Sequence, residues 1–186
     1  MNTQIPGIAI ATISLCISAA TLWLTYLRRG RLRMTTPSVV FFGYDRVPKV
    51  TPKVFLRTLL YSTANQGQVI EWMYARLTHG TVQQAFSFWG YGETEKLSPG
   101  SGLFASRTGF AANHHFVLSV HEEGYEFTEG THEVEVFARV VGRKPARLFS
   151  LFIDVTPEQA AALRRHEGIL YERRPDGSFE GHARGL

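Results

Sequence analysis

Residues 5–27 form an uncharged, mostly apolar run, closed by Arg28, Arg29, Arg31 and Arg33. As an α-helix this run spans about 34 Å, enough to cross a hydrocarbon layer of roughly 30 Å with some tilt. Its polar residues, Thr12, Ser14, Ser18, Thr21 and Thr25, are all hydroxylated and can bond back to a carbonyl one turn earlier, so they do not forbid lipid surroundings. Pro6 and Gly7 stand near the start, where missing intrahelical bonds cost least. Trp23 and Tyr26 sit at the arginine end, where amphipathic rings meet headgroups.

The two flanks of this run differ. No charged side chain precedes it, whereas the four arginines follow at once, and that bias predicts an external amino terminus and a cytoplasmic carboxyl-terminal part. The expected setting is a cell membrane, the inner or plasma membrane in a bacterium, crossed once. A cleaved signal peptide would also place small residues such as Ser18, Ala19 and Ala20 near an apolar segment, but its positive charges belong before that segment. A buried core helix of this length would carry a polar stripe. Ala9, Ser14, Ser18 and Ala19 are small enough to support helix self-association, which leaves the oligomeric state open.

The formal charge of +4 arises from 20 Lys plus Arg against 16 Asp plus Glu, and the four juxtamembrane arginines account for the whole excess. The rest of the chain is balanced, so its basic pI belongs to the membrane flank and no nucleic-acid partner is expected. Cys16 is the single cysteine and lies within the span; it excludes an intrachain disulfide and a cysteine metal cluster, leaving a small apolar thiol or an interchain bridge.

Beyond the anchor the pattern changes from an apolar run to short alternating segments separated by turn residues. Strands are expected at 39–42, 55–62, 68–77, 81–89, 103–107, 115–121, 132–141, 148–153 and 169–171. In 68–77, Ile70, Trp72 and Tyr74 are expected on one face and Val69, Met73, Ala75 and Leu77 on the other. The clearest alternation is at 132–141, with Val134, Val136, Ala138 and Val140 inward against Glu133, Glu135 and Arg139 outward. Thr156 or Asp154 can cap a short helix whose first turn holds Pro157 and which Gly168 would stop. The expected organisation is a tail at 1–4, a transmembrane helix at 5–27, a basic linker at 28–37, a β domain at 38–174 and a loose tail at 175–186. The fold class is mainly β, an antiparallel sandwich with one short helix behind a single membrane helix.

Residues 127–136, FTEGTHEVEV, resemble the strand-entry pattern of immunoglobulin-like and fibronectin-type domains, with His132 at the usual tyrosine position. The resemblance covers about 25 residues. It implies an immunoglobulin-like sandwich and, at position 132, a side-chain bond to backbone.

Several groups invite a chemical reading. His114, His115, His121, Glu122, Glu123 and His132 bring imidazoles and carboxylates toward the ends of two strands, and His121, His132 and Glu122 are the candidates for a metal site. Glu122, Glu123, Glu126, Glu129, Glu133 and Glu135 form a local acidic run able to steer a basic partner or simply to solvate a strand face. Trp89, Tyr91, Glu93 and Glu95 form a candidate recognition loop, aromatic for contact and acidic for orientation. Ser101 between two glycines lacks the full G-x-S-x-G pattern, and no dinucleotide, phosphate-loop or zinc-protease motif occurs. No catalytic residue and no cofactor is therefore nominated. The expected role is a membrane-anchored, non-catalytic interaction domain for another membrane or membrane-proximal protein, with a metal-binding protein or metalloenzyme and a structural membrane subunit as the alternatives. Trp23, Tyr26, Arg28, Arg29, Arg31 and Arg33 are the expected membrane-interface residues.

Overall fold

The computed structural model describes residues 4–27, 30–45, 49–92, 98–99, 102–119 and 125–184, with side chains described for all of these except 4–6, 26, 27 and 99. The chain begins with helix α1, Gln4–Leu22, which runs on into a π-helical turn at Trp23–Leu27. The Thr12 and Thr21 hydroxyls donate to the Ile8 and Ile17 carbonyls at 2.9 and 2.8 Å, so each polar group is satisfied within the helix. From Gly7 to Thr25 the helix is long and apolar enough to cross a membrane, and none of it is buried against the rest of the chain.

Twelve strands follow: β1 Leu32–Met34, β2 Val39–Asp45, β3 Thr51–Ser62, β4 Gln68–His79, β5 Val82–Tyr91, β6 Ser98–Pro99, β7 Leu103–Ala105, β8 Phe110–Leu118, β9 Gly130–Val140, β10 Ala146–Val155, β11 Gly168–Arg173 and β12 Phe179–Arg184. All join one antiparallel sheet in the order β10-β9-β4-β5-β8-β3-β2-β11-β12, with β1 added on β3, β6 on β5 and β7 on β4. The sandwich-like core is thus made by one sheet curling on itself, where separate hydrogen-bonded layers were expected. Phe42 on β2 meets His132 on β9 edge-on at 5.9 Å although four strands separate them along the sheet, and the outermost strands β10 and β12 approach each other. A sheet this wide buries one face only by curling.

The interior is aromatic at its centre. Phe127 enters from the segment before β9 and stacks on Phe42 at 5.0 Å, with Phe86 and Tyr44 on its other sides. Val134, Val136 and Ala138 of β9 face this core, as their alternation predicts. Burying such side chains stabilises by about 1.5–3 kcal/mol for each large one.

Register departs from simple alternation at two bulges. Between Ile70 and Trp72 the pairing with β9 shifts, so Ile70 is buried beside Met73, Ala75 and Leu77 while Trp72 turns outward. The expected grouping of Ile70 with Trp72 and Tyr74 fails because the extra residue inverts side-chain parity. A second shift lies between Phe88 and Gly90, placing Trp89 on the bulge, 57% exposed.

Other boundaries also move. Leu32–Met34, within the expected linker, pairs with β3, and Phe179–Arg184, within the expected loose tail, pairs with β11. β8 begins at Phe110, well before the expected start at 115. Helix α2, Pro157–Arg164, is capped by Thr156, whose side chain accepts from the Gln159 N–H while Gln159 accepts from the Thr156 N–H, a reciprocal box. The helix ends at Arg165 and His166, the latter in the left-handed region at φ 60°. Gly168 instead opens β11, where any Cβ would overlap the Phe41 ring.

Candidate functional site

The junction between the amino-terminal helix and the β domain is built on the turn between β3 and β4. The Gly30 carbonyl accepts from Gln68 Nε2 at 2.9 Å and from Arg143 Nη1 at 2.7 Å. The Arg31 N–H donates to Thr63 Oγ1 at 2.7 Å, the Thr63 N–H returns a bond to the Arg31 carbonyl at 2.9 Å, and Asn65 Nδ2 reaches back to the Thr25 carbonyl at 3.1 Å. A Cβ at Gly30 would overlap the Ala64 backbone, so this close approach requires glycine. Of the expected interface residues, Trp23 is exposed, Arg31 precedes β1 and Arg33 lies within it, the Tyr26 side chain is not described, and Arg28 and Arg29 lie outside the described residues.

The outer face of β4, β9 and β10 carries aromatic and charged side chains that sequence reasoning did not single out together. Trp72 and Tyr74 lie 5.4 Å apart, Tyr74 stacks on Phe137 at 4.9 Å, and the Arg76 guanidinium lies 4.7 Å from the Phe137 ring centre. Arg76 and Arg147 both donate to Glu135, at 2.5 and 2.7 Å. Glu135 therefore departs from the expected solvated outer position and is 4% exposed. Burial pushes its pKa up, but the bonds from Arg147 and Arg76 and their charges outweigh this and hold it below the ordinary carboxylate value. The signal available in the sequence was the period-two set Trp72, Tyr74 and Arg76, obscured by the bulge just before it.

Trp89 and Trp72 each stand two residues beyond the paired Tyr74 and Ser87, on the same side of the sheet. Tyr91 is half-buried and packs on Phe110 at 5.3 Å, so it contributes more to the fold than to an open loop. Glu93 and Glu95 lie outside the described residues.

Of the candidate histidines, His114, His115 and His132 are buried at separate places in the domain. His114 is sealed between Phe88 and Phe110 at 6.0 and 5.4 Å. Neither ring nitrogen has a full hydrogen bond among the described residues; burial lowers its pKa to about 4, partly offset by the Thr58 backbone, and the ring is neutral at pH 7. His115 bonds the Gly92 carbonyl at 3.0 Å and tilts against Phe55. His132 donates from Nε2 to the Thr128 carbonyl at 2.8 Å and stacks on His79 at 4.5 Å; burial lowers its pKa as well. That bond is the side-chain-to-backbone contact implied for position 132. His121, Glu122 and Glu123 lie outside the described residues, and among the described residues no three His, Cys, Asp or Glu side chains converge as a metal site. The acidic run is dispersed: Glu126 and Glu129 are exposed, Glu133 accepts from Ser150 at 2.6 Å, and Glu135 is the buried partner of two arginines.

Between them these features present two surfaces able to meet a partner, an aromatic outer sheet face and a basic junction beside the helix. No family model, curated protein or solved structure matches this chain.

Proposed function

We propose that the chain is a single-pass membrane protein that holds a non-catalytic β domain at the cytoplasmic surface, amino terminus outside, and docks another protein through the outer face of β4, β5, β9 and β10. The observation that supports this most is the pairing of a wholly exposed apolar helix with a junction sewn to the domain by Gly30, Arg31, Thr63 and Asn65. Lipid is the surrounding that removes such a surface from water, and the sewn junction ties the anchor to the domain. Trp72, Tyr74, Phe137 and Trp89, ringed by paired arginines, have the composition of a docking surface in which a few aromatic and arginine residues supply most of the contact energy. The immunoglobulin-like reading rests on the His132 to Thr128 bond and the curled antiparallel sheet. The metal-binding alternative lacks a set of converging ligands among the described residues.

The test uses the full chain in native membranes. Resistance to alkaline carbonate, together with digestion of the domain only after membranes are opened, is the expected outcome; digestion by protease added outside intact cells rejects the topology. Photo-crosslinking groups at positions 72 and 89 should capture the same partner, and Trp72→Ala with Trp89→Ala should release it while unfolding temperature changes little. Unchanged capture in the double variant rejects this face as the docking surface.

A further inference from the structure

A concave pocket of about 340 Å³ opens between β1, the β9–β10 turn and β10, at the end of the domain next to the helix. That volume lies at the small end of the range for ligand sites. Five cations line it: Arg31 and Arg33 from the juxtamembrane segment, and Arg143, Lys144 and Arg147 from the β9–β10 hairpin more than a hundred residues later. No acidic residue lines it. Several arginines elsewhere on the outer surface meet carboxylates, as Arg139 does with Glu71, Arg165 with Glu167 and Arg174 with Glu180. Arg31, Arg33 and Lys144 have no ion pair among the described residues, and Arg143 is held in place by its bond to the Gly30 carbonyl. Arg147 is paired with Glu135, but leaving the other four like charges together without a counterion is unfavourable, so the cluster marks where an anion belongs. The floor is apolar, with Val140 and Leu148, and suits the glycerol and first methylenes of an amphiphile. Arg31 follows Leu27 by four residues, a reach of at most about 14 Å, which keeps the pocket at headgroup depth.

We propose that this pocket binds the phosphate of an anionic glycerophospholipid headgroup, with Arg33 and Lys144 as the free cations and Arg143 as the fixed donor. The proposal rests on the membrane-anchored reading above. It adds a defined pocket and a phosphate contact to a charge cluster that, read from the sequence, mainly fixes topology and attracts anionic headgroups without a site. Guanidinium groups suit phosphate because their parallel N–H donors match its oxygens, and the surrounding cations add attraction that salt screens.

The experiment reconstitutes the full chain in nanodiscs of phosphatidylcholine with a tenth phosphatidylglycerol and counts retained lipids by native mass spectrometry. The wild type should retain phosphatidylglycerol selectively. Arg33→Gln with Lys144→Gln should lower that retention about 25-fold, two exposed cations at about fivefold each. Arg164→Gln with Arg173→Gln removes the same charge far from the pocket and should leave retention unchanged. Equal retention in the pocket variant overturns the proposal, as does an equal loss in the control pair. Inorganic phosphate should not displace the lipid; full displacement, or equal binding of phosphate in phosphatidylcholine-only discs, overturns the lipid source in favour of a soluble phosphate. Alkaline carbonate separates the two readings. A chain that resists stripping but shows no lipid preference rejects the pocket alone, and a chain that is stripped rejects the anchor and the headgroup site together.

Discussion

On the outer face of β4 and β9, Arg76 lies over Phe137 and shares Glu135 with Arg147, whereas at the end next to the amino-terminal helix Arg31, Arg33 and Lys144 line a pocket that holds no carboxylate. The same residue type therefore does different work in the two regions. Where a carboxylate is buried within reach, the arginines are consumed in holding strands together; where none is present, their charge is left for something outside the chain. Arg147 belongs to both regions and links them, since it lines the pocket while donating to Glu135.

Acid makes the largest break in this comparison, but not through either region. His114 has a folded pKa of about 4 against an ordinary 6.5, so as pH falls between these values the unfolded chain takes up the proton first. Stability should be full above about pH 6.5 and decline by on the order of 3 kcal/mol toward pH 4, with buried His132 adding in the same direction. His114→Leu, followed by urea unfolding across that range, should remove most of the decline; an unchanged pH profile contradicts the neutral buried ring. A backbone change comes next. Gly30→Val should cost about 2 kcal/mol, because the side chain must displace the Ala64 backbone and with it the Gln68 and Arg143 bonds. An unfolding temperature equal to wild type would show the junction to be loose.

Glu135→Gln tests the paired region, with an expected cost of about 1–2 kcal/mol, kept modest because both arginines reach solvent and can rehydrate. The native carboxyl pKa lies below the ordinary 4.5, so its contribution is present above that value and is lost as pH falls through the lower folded one. In the His114→Leu background, Glu135→Gln should flatten the remaining acid slope; a slope that persists assigns it elsewhere. The smallest effect belongs to the unpaired region. Arg33→Gln and Lys144→Gln should each change stability by less than about 0.5 kcal/mol, and a clear loss would reveal a structural pairing there.

Much of the strand inventory was readable because alternation at one face survives without any knowledge of the partner strand. β9 is the clearest case, with Val134, Val136 and Ala138 inward. The α2 cap was equally local, since Thr156, Pro157 and Gln159 satisfy the helix start among themselves. The outer aromatic surface was not readable, because the bulge after Ile70 inverts parity through an insertion that only the pairing with β9 defines. Strand β1 has too few residues and β12 too few apolar ones to show a period, and both exist through their partners β3 and β11. The stop of α2 at His166 also depended on where the chain had to turn to enter β11.

Composition and order along the chain were enough to determine an apolar helix with a basic flank, a β-rich remainder and the capped turn of α2, because hydrophobic run length, side-chain period and capping are properties of neighbours in sequence. Tertiary structure alone decided that the sheet curls around Phe42, Phe127 and His132, that Glu135 is buried beneath two arginines, and that the β9–β10 hairpin brings Arg143, Lys144 and Arg147 to Arg31 and Arg33. Those outcomes join residues far apart in sequence, as in the bond from Arg143 to Gly30 across 113 positions, and electrostatic and packing energies depend on distance in space.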